Sequence, residues 1–129
     1  MLDPTITFLG LLLIIGVDST YLTLNNNFYK TIIESGQTPN IIYGILTWLL
    51  IIISIQLIVL SRPDINSSNV FINGLILGGA MYGLYNLTNA TIYPDKWTNT
   101  IIIGDTIWGM VLIGSVSWVL FNLKQSMKY

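Results

Sequence analysis

"IIYGILTWLLIIISIQLIVLS", residues 41–61, decides the fold. The stretch carries no charge, is relieved by Tyr43, Trp48, Ser54 and Gln56, and stops at Arg62-Pro63-Asp64, where proline cannot extend a helical hydrogen-bond ladder. A hydrocarbon core about 30 Å thick is crossed by roughly 20 helical residues rising about 1.5 Å each. In lipid, every backbone N–H and C=O must be satisfied within the protein. The run lacks the alternation of a barrel strand, so it reads as a membrane helix with lipid over much of its surface.

Outward from it lie three more such segments. Thr5 to Leu24, Val70 to Ala90 and Ile101 to Leu123 join the central one, taken as Asn40 to Ser61. Only 9% of residues are charged and nearly all lie outside these runs, which excludes a soluble domain. The expected architecture is all-α, an integral membrane four-helix bundle, with residues 1–129 as a single transmembrane domain. Between the first two helices, "NNNFYKTIIESGQTP" (25–39) offers asparagine caps, one apolar face in Phe28, Ile32 and Ile33, and a stop and restart at Gly36 and Pro39. It predicts a short interfacial segment. The first apolar run has no Lys or Arg before it and no small-residue cleavage pattern after it, so it reads as a retained helix rather than a signal peptide.

Four crossings put Arg62, Lys124 and Lys128 on one side and Lys30 and Lys96 on the other. The excess of positive charge favours cytoplasmic termini.

Composition removes several chemistries. Without Cys there are no disulfides, and without His the usual ligands of haem, zinc and copper are missing, so no cofactor is expected. A net charge of -1 without a basic patch excludes a nucleic-acid partner. No Lys lies inside a span to form a Schiff base, and no potassium-filter or zinc-protease motif occurs. Heavy use of Ile and Asn, whose codons are AT-rich, suggests an AT-rich genome of a bacterium, an organelle or a virus.

Of the six acidic residues, Asp18 and Asp105 alone fall inside apolar runs. A charged Asp near a helix centre costs about 2.5 to 3.5 kcal/mol on insertion scales, so such groups face the bundle interior and find partners. Asp18 lies roughly 9 Å before the end of its segment and Asp105 roughly 6 Å after the start of its own. Those two ends share one side of the membrane, so both carboxyls belong to the same half of the bilayer. The third segment ends there too, with Asn86 and Asn89. Tyr82, Asn86 and Asn89 share a face at i, i+4 and i+7, and Tyr85 flanks it. Asp18 and Tyr21 form an i, i+3 pair, and Asp105 aligns with Trp108 and Gly109. Gly74/Gly78 and Gly79/Gly83 are small-xxx-small pairs suited to close helix approach.

These residues also carry a resemblance. "YGLYNLTNATI" followed by Trp97 resembles a Tyr-Asp-Leu-Thr-Asn-x-Ala-Thr signature with a nearby Trp. "DTIWG" (105–109) resembles an Asp-x-x-Trp-Gly motif, and Asp18 with Tyr21 resembles the acid of helix one, in the small four-helix membrane proteins called domain of unknown function 2177. That family occurs in bacteria and some large DNA viruses, and the similarity spans nearly the whole chain. It implies an architecture and no activity. Asn86 stands where the family pattern has an acid, leaving Asp18 and Asp105 as the ionisable pair.

The expectation is a pocket lined by Asp18, Tyr21, Tyr82, Tyr85, Asn86, Thr88, Asn89, Asp105 and Trp108. Lying within the lipid bilayer, it would bind a small polar ligand, an ion, proton or cation, or a lipid headgroup, with homo-oligomers if transport occurs. The competing expectation is a structural or assembly protein, viral or otherwise, whose polar cluster only holds the helices together. An enzyme is disfavoured, since no nucleophile, metal set or cofactor motif accompanies the acids.

Overall fold

The computed structural model describes residues 1–33 and 38–128. Gly36, the expected stop in the first connection, lies outside the described residues.

Among the described residues, four helices are long and apolar enough to cross a membrane. Helix α1, Pro4–Leu24, starts at Asp3, whose Oδ1 accepts from the backbone N–H groups of Thr5 (2.9 Å) and Ile6 (3.2 Å), with Pro4 in the first turn where no N–H is needed. Helix α2, Ile41–Ser54, is capped by Asn40, whose side chain accepts from Ile42 and Tyr43. It continues through a π-helical turn, Ile55–Val59, closed by the bond from Leu60 N–H to the Ile55 carbonyl (2.9 Å). The span therefore ends a residue or two before Ser61, and the connection to the next helix turns at Asp64, the one described non-glycine residue with positive φ (59°).

Helices α3, Ser67–Ile92, and α4, Asn99–Ser126, are longer than their apolar runs at both ends. At the N-terminal ends the reason is capping. Asn66 accepts from Asn69 N–H and Thr98 from Ile101 N–H, so Ser67, Ser68 and Asn69 enter the first turn of α3 although they are too polar to count as membrane-buried. At the far end of α4, Lys124 lies in the last turn, where a cation complements the exposed carbonyls.

The tightest packing is between α3 and α4. A methyl group on Gly78 would overlap the Gly109 carbonyl, and one on Gly74 would lie 2.8 Å from the Gly114 Cα, so these positions must be bare for the backbones to cross. The second small pair sits more loosely, with Gly79 against the Met110 side chain and Gly83 near Thr106. Helix α1 packs on α4 and α2, whereas α2 reaches α3 and α4 mainly through its π-helical end.

The bundle has two unlike halves. Ile6, Ile14, Ile52, Ile55, Val59, Val70, Ile113 and Leu120 form a fully buried apolar core toward the end that carries the termini. In that half Gln56, turned inward by the π-helical turn, accepts from Asp3 N–H (2.8 Å) and donates to Thr7 Oγ1 (2.7 Å), tying α2 to the start of α1. In the other half the first three turns of α2 pack on α1 and hardly touch α3 or α4. Ile41, Ile42, Tyr43, Ile45, Leu46 and Leu50 are exposed there, as expected for a lipid-facing helix.

Gly78→Ala should lower the melting temperature by several degrees by forcing α3 from α4. Gly16→Ala, whose added methyl meets nothing within 4 Å, should leave it unchanged or raise it. Thermal unfolding in detergent, followed by circular dichroism, checks both.

Candidate functional site

Asp18 on α1 and Asp105 on α4 are both buried, each 7% exposed. Each meets two donors from other segments. The Asp18 carboxyl accepts from the Trp48 indole on α2 (Nε1 to Oδ2, 2.9 Å) and from the Trp108 indole on α4 (Nε1 to Oδ1, 3.0 Å), so one side chain ties three helices. The ring of Tyr21, one turn after Asp18, stacks on Trp108 with centroids 3.7 Å apart and planes 6° from parallel. That fixes the orientation of the indole.

Asp105 is held from two other directions. Asn86 of α3, fully buried, donates through Nδ2 to Oδ2 (2.7 Å) and to its own helix at the Tyr82 carbonyl (2.8 Å), which uses both amide protons. Its Oδ1 accepts from the Trp97 indole (3.2 Å) beyond the end of α3. Tyr29 supplies the second donor, with its hydroxyl 2.7 Å from Asp105 Oδ1 and 3.1 Å from the Tyr21 hydroxyl. A phenol has one proton to give, so Tyr29 gives it to the carboxyl and accepts from Tyr21.

The first connection therefore does more than lie at the membrane surface. Asn26–Tyr29 forms a 3₁₀ turn, the Phe28 ring covers Gly104 where a Cβ would come within 2.7 Å of its tip, and Tyr29, 4% exposed, reaches the neighbouring Asp105. Burial, then the bonds to Tyr21 and Asp105, push the Tyr29 phenol well above its ordinary range.

The residues singled out in the sequence divide into two groups. Asp18, Tyr21, Asn86, Asp105 and Trp108 belong to one bonded assembly, and Tyr82 adjoins it, its ring lying where Gly109 has no side chain. Tyr85 is half exposed and packs edge-on to Trp97, with centroids 6.2 Å apart. The other two are placed apart. Thr88 is exposed, two residues from Asn86 and so on another face. Asn89 uses its amide on the Tyr85 carbonyl of its own helix (2.8 Å). Sequence reasoning missed Tyr29, Trp48 and Trp97 as members of the assembly. Trp48 was visible as an unusual donor in an apolar helix, but nothing local marks Tyr29.

Beside this assembly lies a cavity of about 1100 Å³. Asp18, Asp105, Tyr29, Tyr82 and Tyr85 border it, and Leu22, Ile33, Leu50, Ile51 and Met81 supply apolar wall. Among the described residues no three acids, histidines or cysteines lie close enough together to hold a metal ion.

The model of the family described as "Predicted membrane protein (DUF2177)" matches residues 5–122. The chain belongs to this DUF2177 family. Comparison with curated proteins and with solved structures finds no match. As a DUF2177 member the chain is a multi-pass integral membrane protein whose four apolar helices enclose a buried polar cluster. At position 86, its asparagine gives Asp105 a permanent donor. An acid there would meet Asp105 carboxyl to carboxyl, without the amide protons that Asn86 donates.

Because folding holds the Tyr29 phenol protonated, its contribution to stability is constant below the ordinary tyrosine value of 10.0 and is lost as pH rises above it. Melting temperatures measured across that range should fall on the alkaline side for the wild type and fall less for Tyr29→Phe.

Proposed function

We propose that this protein binds a small polar or amphiphilic ligand inside the membrane, in the cavity beside Asp18 and Asp105. The observation that carries the reading is that the two buried acids border about 1100 Å³ of open space rather than a closed core. Intramembrane carboxyls are costly, and a bundle that needed them only as fasteners could bury them without a cavity alongside. The cavity lies in the half remote from the termini. With the termini in the cytoplasm, as the Lys and Arg distribution favours, it belongs to the outer half of the bilayer.

A second reading, a structural or assembly protein of a membrane, is favoured by one observation. Every oxygen of the two carboxyls already accepts a hydrogen bond from the protein. In that case the cluster acts only as a helix fastener, and single interhelical bonds contribute about 0.6 kcal/mol each.

Gly44 separates the two. It lines the cavity, and a Cβ there meets nothing within 4 Å, so Gly44→Trp starts its side chain in open space beside the cavity. Native mass spectrometry of protein purified in mild detergent should detect a small bound species in the wild type that Gly44→Trp lacks, at similar melting temperature. No bound species in either protein would favour the structural reading.

A further inference from the structure

The charge and shape of the cavity identify a class of ligand, given that the cavity is a binding site. Its described lining contains two carboxyls and neither Lys nor Arg. An anionic head would meet two acids without a cation to offset them, in surroundings where unpaired charge is expensive. Each carboxyl oxygen accepts one bond from the protein and retains a second lone pair, so donors can still be received at both acids. Tyr82 and Tyr85 add aromatic faces, which attract cations. Most of the remaining wall is apolar.

The packing also indicates the route. Gly44, Thr47 and Leu50 of α2 face the cavity from one side and Met81, Tyr82 and Tyr85 of α3 from the other, yet the α-helical part of α2 packs chiefly on α1. A gap between α2 and α3 therefore opens beside the two acids, within the spanning part of both helices. The geometry points to a lipophilic cation as the ligand, an amine or onium group with an apolar body, reaching Asp18 and Asp105 sideways from the bilayer between α2 and α3. The ion's charged group faces the two acids, and its body stays in apolar surroundings.

Tetraphenylphosphonium and tetraphenylborate share a shape and differ in the sign of charge. Equilibrium binding of each to the protein in phosphatidylcholine nanodiscs should give saturable binding of the phosphonium and none of the borate. Asp18→Asn and Asp105→Asn should each weaken phosphonium binding by about tenfold or more, with Gly16→Ala unchanged. Equal binding of the two ions, absence of saturable phosphonium binding, or wild-type affinity in both Asp variants would overturn the inference. The comparison of the two ions uses wild-type protein alone, so it stands even if the Asp variants fail to fold. If Gly44→Trp strips a bound species that phosphonium does not displace, the cavity reading survives and the cationic class is wrong. If neither a bound species nor phosphonium binding is found, both fall.

Discussion

A carboxyl placed in hydrocarbon must find donors, and the Asp18 side chain finds them on two other helices at once. Its bonds to Trp48 and Trp108 join α1, α2 and α4 at a depth where the first half of α2 has little else to hold it. The apolar core lies in the other half, and dispersion in a lipid-solvated bundle gives no preference for protein over acyl chains comparable to the hydrophobic effect in water. Among the described residues, the bond from Trp48 to Asp18 is the side-chain hydrogen bond that ties this half of α2 to the other helices.

The two halves of the bundle use different means of cohesion. Toward the termini, interlocked isoleucines and the bare approach of Gly74 to Gly114 exclude space, Gly78 meets Gly109 near the middle of the bundle, and Gln56 fastens α2 to the start of α1. Toward the other surface, indoles, phenols and amides converge on two acids, and space remains beside them. Asp105 lies at the centre of this second half, receiving the end of α3 through Asn86 and the first connection through Tyr29. The aromatic donors suit the setting, since each brings one polar N–H or O–H on a large apolar ring that lipid and protein both accommodate.

Much of this was legible in the sequence, for physical reasons. Four apolar runs of spanning length leave helices as the only solution, and the faces of Asp18, Asn86 and Asp105 follow from helical spacing. The starts of α3 and α4 were not legible from hydropathy, because Asn66 and Thr98 cap them beyond the apolar runs. Asn89 shares the sector of Asn86, but a turn further on it finds the Tyr85 carbonyl of its own helix instead of the acids. Tyr29 escaped because its role depends on a chain reversal that places Phe28 on Gly104, a contact between residues 76 apart that no local pattern announces.

One carboxyl, Asp18, holds two indoles from different helices. The protein has four tryptophans, and Trp97 donates instead to Asn86 while Trp118 lies exposed on α4. A ¹⁵N–¹H spectrum of the indole groups in detergent, compared with that of Asp18→Asn, tests it directly. Two resonances, those of Trp48 and Trp108, should move and exchange faster with water while the other two hold their places. If all four stay where they are, or if only one moves, Asp18 does not join the helices as described.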